Sequence, residues 1–151
     1  VVVGDGSIMM NIQELQTIAF HNFPIKTFVI NNDAYAIIRR RQNLLFRGRT
    51  IGTDGSNGVS LPNFESVAAT FGLKYFLIRN NKQVDTIFQK IKKFDGPVLC
   101  EVYGSLNQEY IEIGFAKTMQ KKIVRRPLED QSPFLDRDLF VKEMIIDPID
   151  Q

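Results

Sequence analysis

Short apolar runs alternate with amphipathic helical stretches along the first hundred residues of the chain. Residues 1–3, 26–30, 74–79 and 97–103 are rich in Val, Ile, Phe and Tyr and stop at Gly, Asp or Asn, so they predict buried strands. Strands that alternate with helices predict a parallel sheet covered on both faces, with right-handed crossovers. The pattern therefore predicts the α/β class, with three layers in the order α/β/α.

Apolar residues at helical spacing fill the segments between these strands. Residues 11–21 predict a helix that begins at Asn11, with Glu14 completing a capping box. Residues 34–42 predict a second helix, and residues 64–71 a third that Gly72 closes. Asn81 is expected to cap a fourth helix, and residues 43–62 form a long loop, which is more often functional than not.

Polar clusters follow the first two predicted strands directly. Gly4-Asp5-Gly6-Ser7 ends the first apolar run, Asn31-Asn32 ends the second, and 24 residues lie between Gly6 and Asn31. Because parallel strands point the same way, Asp5 and Asn32 are predicted to meet at the carboxyl edge of the sheet, where open α/β sheets bind ligands. A carboxylate and an amide oxygen beside a Gly-Ser helix entrance suit a hard cation carrying a phosphate, although Asp-Gly and Asn-Asn are also ordinary turn residues.

The motif GDG followed by NN resembles the signature of thiamine-diphosphate enzymes. The segment that follows GDG, Met10-Asn11-Ile12-Gln13-Glu14-Leu15, is similar to the diphosphate-binding domain of the acetolactate synthase group. Segments 127–130, 132–137 and 144–146 resemble the closing part of the same group, so the resemblance covers roughly residues 1–146. It implies the thiamine-diphosphate-binding fold, with thiamine diphosphate and Mg²⁺ as cofactors.

The resemblance also implies a set of site residues. The magnesium ligands would be the Asp5 carboxylate, the Asn32 side-chain oxygen and the Ala34 backbone carbonyl, with two diphosphate oxygens and a water completing an octahedron. The amides of Gly6 and Ser7 would face the phosphates. The whole cofactor-binding set is Gly4, Asp5, Gly6, Ser7, Asn32, Ala34 and Tyr35.

The implied activity is decarboxylation of a pyruvate-like 2-oxo acid and ligation of the two-carbon unit to an acceptor. In the family a glutamate from a separate pyrimidine-binding domain activates the cofactor, usually across a subunit interface, so we expect a homo-oligomer and no catalytic residue in this chain. Neither Glu14 nor Glu65 belongs to a motif for that role. The alternatives are another thiamine-diphosphate lyase or carboligase, of the acyl-CoA or sugar-pathway type, and a non-catalytic cofactor-binding subunit or remnant.

Two positions depart from the family pattern. Simple pyruvate decarboxylases have a glutamate where this chain has Ile38, which disfavours that branch, and Arg41 stands where acetolactate synthases carry a tryptophan. A guanidinium there suits an acidic or phosphorylated acceptor. Arg41 also belongs to a basic group with Arg39, Arg40, Arg47 and Arg49, for which a solvated face is the default interpretation, an anion site the next, and nucleic-acid binding the least favoured.

Composition excludes several classes of protein. The chain has 151 residues, 44% hydrophobic and 24% charged, with a net charge of +2, which favours neither a nucleic-acid nor a membrane partner. No apolar run approaches the roughly 18 residues of a membrane span. The lone Cys100 lies in the apolar run 98–102, which predicts a buried thiol, and a single cysteine suits a reducing cytoplasm.

The chain begins at Val1 inside a predicted strand, so we interpret it as the carboxyl-terminal piece of a longer protein. Residues 1–106 are predicted to form the cofactor- and magnesium-binding domain without its N-terminal part. Residues 107–151 lack clear periodicity and are predicted to form an extension that packs on this domain or on a partner subunit.

Overall fold

The computed structural model describes residues 1–108, 115–117, 123–125, 129–130 and 134–146, with the backbone alone for 115–117 and 123–125. The chain divides into two compact units, Val1–Gln108 and Glu109–Gln151. Parts of the predicted closing segment, residues 127–128 and 132–133, lie outside the described residues. Whether the second unit packs on the first or on a partner subunit stays a prediction.

A four-stranded parallel sheet forms the centre of the first unit. Its strands lie in the order β1-β2-β4-β3, and every neighbouring pair is parallel, as the sequence pattern predicts. The chain thus passes from β2 to the far edge of the sheet and returns to place β4 against β2. The strands are β1 (Val2–Gly4), β2 (Lys26–Asn31), β3 (Lys74–Ile78) and β4 (Val98–Tyr103).

Five helices connect or follow these strands in the first unit. They are α1 (Asp5–Ile8), α2 (Glu14–Phe20), α3 (Ala36–Leu45), α4 (Phe64–Phe71) and α5 (Val84–Lys93). The ends of α4 are those that the sequence predicts. The Asn63 side chain accepts a hydrogen bond from the Ser66 amide at the N-terminus, and Gly72 has φ of 73° at the C-terminus.

Hydrophobic cores lie on both faces of the sheet, which confirms the three-layer prediction. Successive strand residues point to opposite faces, so Val29 and Leu99 pack on one side while Cys100 and Val98 pack on the other. The first core takes its helical residues from α1, α2 and α4, and the second from α5. These four helices thereby bury apolar residues against one side of the sheet or the other, whereas α3 has no buried residue.

Three predicted helices differ from the structure at their ends: α3 spans Ala36–Leu45 rather than residues 34–42, and two predicted caps are wrong. The segment after α1 continues as turns, in which the Glu14 amide donates to the Asn11 carbonyl, so α2 begins at Glu14 and Asn11 does not cap it with its side chain. The structure also places the later cap one residue earlier than predicted. The Asn80 side chain, rather than that of Asn81, accepts a hydrogen bond from the Lys82 amide and starts a short 3₁₀ turn that leads into α5.

The second unit contains a two-stranded antiparallel sheet and a short helix. Strands β5 (Phe115–Lys117) and β6 (Ile123–Arg125) pair with each other, and α6 spans Arg137–Glu143. The Asp136 side chain caps α6, and Arg137 binds both carboxylate oxygens of Asp130 at 2.9 and 3.0 Å. In the part of the chain that the structure describes, no helix is long and apolar enough to cross a membrane.

Candidate functional site

Asp5 and Asn32 lie together at the carboxyl edge of the sheet, as the strand–helix–strand pattern predicts. Asp5 begins α1 directly after β1 and is only 4% exposed. One carboxylate oxygen, Oδ2, accepts the Asn32 amide at 3.0 Å, and the other, Oδ1, accepts the Gly6 amide at 2.7 Å. The first of these hydrogen bonds ties the end of β1 to the end of β2.

A tight turn after β2 presents Asn32 to this edge. The Asp33 amide donates to the Asn31 side-chain oxygen at 2.9 Å, an arrangement that mimics a backbone turn. Asp33 has φ of 57°, a left-handed conformation that Asp and Asn tolerate better than most residues. The Asn31 side chain therefore stabilises the turn, whereas the Asn32 amide contacts Asp5 at the edge of the sheet.

The ring of Tyr35 packs directly against Gly6. A Cβ atom added at Gly6 would lie 1.9 Å from Tyr35 Cε1, so no other residue fits without moving the ring. Ser7 follows on the exposed side of α1. The Gly4–Ser7 turn is thus covered by Tyr35 on one side and open at Ser7.

A loop after α3 holds the Ala34–Tyr35 segment in place. Ala34 forms an isolated antiparallel bridge with Asp54, and the Tyr35 amide donates to the Thr53 carbonyl at 2.8 Å. Hydrogen bonds from the hydroxyl and the amide of Ser56 lower the pKa of Asp54, and the Arg39 guanidinium, whose Nε lies 3.0 Å from Asp54 Oδ2, lowers it further. Asp54 is therefore a structural anion that fixes the loop to α3.

The predicted oxygen donors for a cation at the sheet edge stay a prediction. Within the described residues no group of three or more His, Cys, Asp or Glu side chains could hold a metal ion. The candidate donors are instead one carboxylate, one side-chain amide and one backbone carbonyl, from Asp5, Asn32 and Ala34. Magnesium is commonly bound by one or two carboxylates together with substrate phosphates, so this donor chemistry fits it.

A family model described as thiamine pyrophosphate enzyme, C-terminal TPP binding domain, matches residues 1–102. The chain belongs to this family.

Its relatives place this TPP-binding domain in the acetolactate-synthase-like group. The acetolactate synthase large subunit of Porphyra purpurea is 37% identical over 103 residues, which cover 67% of this chain and 17% of that protein. The isozyme 2 large subunit of Escherichia coli K12 is 33% identical over 101 residues, 67% of this chain and 18% of that protein. The chain thus spans less than a fifth of the length of these relatives.

A solved structure has the same fold as this TPP-binding domain. It is the thiamine diphosphate-dependent 4-hydroxybenzoylformate decarboxylase of Rhodococcus jostii RHA1, with a TM-score of 0.61 and 27% identity. The similarity covers 69% of this chain and 19% of that one. The α/β fold predicted from the sequence is therefore that of a TPP-dependent enzyme.

The arginines of the predicted basic group occupy different environments in the domain. Arg39 pairs with Asp54 and donates to the Asn107 side chain at 3.3 Å, so it has a structural task. Arg41 lies exposed in the second turn of α3, and Ile38 on the same helix is 51% exposed. Nothing in these contacts assigns Arg41 to a substrate, and its role at an acceptor stays a prediction.

Sequence reasoning missed one buried polar group beside the site. Glu101 on β4 is 5% exposed, and its carboxylate accepts hydrogen bonds from Asn31 Nδ2 at 2.6 Å and from the Tyr75 hydroxyl. The signal was present, since Glu101 is the one charged residue in the apolar run 98–102. Charged residues are rarely fully buried unless they are paired.

Proposed function

We propose that this chain is the thiamine-diphosphate- and Mg²⁺-binding portion of an acetolactate-synthase-like enzyme, which decarboxylates a pyruvate-like 2-oxo acid and ligates the two-carbon unit to an acceptor. The observation that carries the proposal is the hydrogen bond between Asp5 Oδ2 and the Asn32 amide, at 3.0 Å. It brings a buried carboxylate and an amide-bearing turn to one point on the carboxyl edge of the sheet. The names of the relatives support the reaction class.

In this proposal each residue of the edge has a defined task. Asp5, Asn32 and the Ala34 carbonyl hold Mg²⁺, while the Gly4–Ser7 turn and Tyr35 surround the diphosphate. Gly6 lets the backbone approach the phosphates closely, and amides at the start of a helix favour an anion, although the Gly6 amide already donates to Asp5 Oδ1 at 2.7 Å. Bound thiamine diphosphate supplies the electron sink for decarboxylation of the 2-oxo acid. Binding the diphosphate far from the reacting carbon positions the cofactor.

The catalytic glutamate and the rest of the active site belong, in this proposal, to a pyrimidine-binding domain in the same full-length chain or in a separate subunit of an oligomer. We therefore expect the isolated 151-residue chain to release no carbon dioxide from pyruvate when Mg²⁺ and thiamine diphosphate are supplied. Turnover by the pure chain would contradict this part of the proposal. We also propose a cytoplasmic location, which the single cysteine favours.

A TPP-dependent decarboxylase that does not ligate is a second candidate, which the Rhodococcus structure supports because its name describes a decarboxylase. Product analysis of the full enzyme with pyruvate separates the two. Acetolactate formation supports the ligase, whereas acetaldehyde as the sole product supports the simple decarboxylase. An acyl-CoA lyase would release no carbon dioxide from a 2-oxo acid.

The metal and diphosphate site is tested by calorimetric titration of the 151-residue chain with thiamine diphosphate, with and without Mg²⁺. We expect Asp5→Asn to abolish the magnesium-dependent binding, because it removes the only negatively charged ligand of the proposed set. Asp33→Asn is the matched control. It removes one negative charge from the neighbouring turn, at an exposed residue whose left-handed conformation suits Asn.

The two variants together decide the proposal. Loss of binding in Asp5→Asn alone supports a ligand role for Asp5. Equal binding by both variants, or loss in both, would show that the Asp5 carboxylate has no specific role and would overturn the proposal. Thiamine without its diphosphate should not bind in a magnesium-dependent manner.

The role of Arg41 is tested in the full enzyme by comparing anionic and neutral acceptors. Arg41→Leu should weaken an acidic or phosphorylated acceptor selectively, because the leucine removes the bidentate donor. Arg40→Leu, which removes the same charge one position away on α3, serves as the control. An unchanged acceptor preference in Arg41→Leu would exclude Arg41 from the acceptor site.

A further inference from the structure

Glu101 is a buried carboxylate that the proposed binding site does not use directly. It lies on β4, the strand next to β2, and each of its two carboxylate oxygens accepts a hydrogen bond from a different side chain. Asn31 Nδ2 donates to Oε1 at 2.6 Å, and the Tyr75 hydroxyl donates to Oε2. Burial raises the pKa of Tyr75, and the hydrogen bond to Glu101 raises it further, so the phenol keeps its proton and remains a donor at neutral pH.

Hydrogen bonds lead from Glu101 to the candidate metal site. The nitrogen of the Asn31 side chain is bound by Glu101, and the oxygen of the same side chain accepts the Asp33 amide at 2.9 Å. With both ends of this amide group engaged, its plane is fixed. The turn that it holds contains Asn32, whose own amide donates to Asp5 Oδ2.

The fold alone gives no reason for a carboxylate at this position. Desolvating a carboxylate is costly, and a well-packed apolar side chain of similar volume often serves a protein interior as well or better. The strand residues Leu99 and Val98 beside it are fully buried and apolar. The distinctive contribution of Glu101 is therefore the strong, directed acceptor that it offers to Asn31.

We propose that Glu101 is a positioning residue for the magnesium–diphosphate site, acting through Asn31 on the turn that carries Asn32. This inference rests on the proposed function, because it assigns Glu101 a task at that same site. Groups that orient metal ligands in this way typically change metal affinity by about 10–100-fold when they are altered.

An exchange of the two hydrogen-bonding groups tests the contact directly. In Asn31→Asp, two carboxylates face each other where one hydrogen bond stood, so the turn is pushed away from β4. In the double variant Asn31→Asp/Glu101→Gln, the nitrogen of the introduced glutamine donates to the introduced aspartate, whose other oxygen still accepts the Asp33 amide. The oxygen of the same glutamine accepts the Tyr75 hydroxyl. The net charge of the double variant equals that of the wild type.

The primary measurement is the apparent Kd for thiamine diphosphate at a fixed Mg²⁺ concentration, by calorimetry on the 151-residue chain. We expect Asn31→Asp to raise it by about 10-fold or more and the double variant to recover most of that loss. Asn63→Ala, which removes the α4 cap away from this network, controls for a general loss of stability and should leave the Kd unchanged.

A second measurement needs no cofactor. Amide hydrogen exchange at Asn32 and Asp33 should become faster in Asn31→Asp and return toward the wild-type rate in the double variant, because these amides donate to Asp5 and to the side chain at position 31. If Asn31→Asp does not fold, Glu101→Leu replaces it. That variant removes the buried charge and the acceptor together, and it should weaken cofactor binding in a folded chain.

Wild-type affinity in Asn31→Asp or in folded Glu101→Leu would overturn the inference, as would a double variant as weak as Asn31→Asp alone. The two proposals fail in distinguishable ways. If Asp5→Asn abolishes binding while the Glu101 variants bind normally, only the positioning role is wrong. If the wild type shows no magnesium-dependent binding and the amides of Asn32 and Asp33 still follow the exchange pattern, the turn is positioned as described but the proposed function fails.

Discussion

Replacing Gly6 with alanine should damage both the stability of the domain and its cofactor affinity. The added Cβ would lie 1.9 Å from Tyr35 Cε1 and 2.4 Å from Cδ1. Carbon atoms pack best at about 3.5–4.0 Å, so the ring must move by about 1.5–2 Å. Overpacking of this kind costs about 1–3 kcal/mol. Because Tyr35 is 39% exposed and has room to swing toward solvent, we expect about 1–2 kcal/mol.

Urea unfolding of the 151-residue chain, followed by far-UV circular dichroism, measures this loss. With an m-value of about 2 kcal/mol/M, the middle of the usual range for urea, the midpoint should fall by about 0.5–1 M. Magnesium-dependent thiamine diphosphate binding should weaken in the same variant, since the methyl group and the displaced ring both occupy the space beside the Gly4–Ser7 turn.

Two further variants make the reasoning specific to the contact with Tyr35. Gly4→Ala is the matched glycine control, because its Cβ would meet only Ser7 Oγ at 3.7 Å and its φ of −77° suits alanine. It should leave the free energy of unfolding unchanged or raise it by about 0.4–1 kcal/mol. In Gly6→Ala/Tyr35→Ala the clash is gone, so the double variant should lose less stability than the sum of the two single variants.

Additive losses in that cycle would refute the reasoning, because they would show that Tyr35 is not what the Gly6 methyl meets. A Gly6→Ala variant as stable as Gly4→Ala would refute it as well. Loss of cofactor binding without loss of stability would keep Gly6 in the binding site but remove the steric explanation.

Three other predictions concern the rest of the first unit. Asp54 has a lowered folded-state pKa, so its stabilising effect should be complete above its ordinary value of 3.8 and be lost as the pH falls through the folded-state pKa. The difference in free energy of unfolding between wild type and Asp54→Asn, measured by urea titration, should therefore stay constant from neutral pH to about pH 5 and disappear below it. A difference that persists in acid would contradict the stabilising role of the Asp54 carboxylate. Burial raises the pKa of the Cys100 thiol to about 11. At about pH 8 the folded chain should therefore not react with Ellman's reagent until urea unfolds it. Rapid labelling of the native chain would show that the thiol is accessible. Asn63→Ala should lower the free energy of unfolding by about 0.5–2 kcal/mol, because it removes the hydrogen bond that the Asn63 side chain accepts from the Ser66 amide. Asn63→Gly should lower it by only a few tenths of a kcal/mol. Equal losses in the two variants would indicate that the cap contributes little.

Local patterns in the sequence determined the elements and the meeting of Asp5 with Asn32. Short apolar runs identify the strands, stripes at helical spacing identify the helices, and both signals depend on residues a few positions apart. Once β1 and β2 are parallel and linked by a helix, their carboxyl ends must share an edge. The same locality explains the errors at Asn11 and Asn81, since a cap depends on the path of the backbone just before the helix, which the side-chain pattern does not define.

The tertiary structure alone decided which distant side chains support that edge. The crossover from β2 to the far edge of the sheet leaves β4, rather than β3, beside β2, and this strand order brings Glu101 to Asn31 across 70 positions of sequence. The fold of the loop after α3 likewise brings Asp54 to Arg39. Such contacts depend on the order and register of whole elements, so no periodicity along the chain records them.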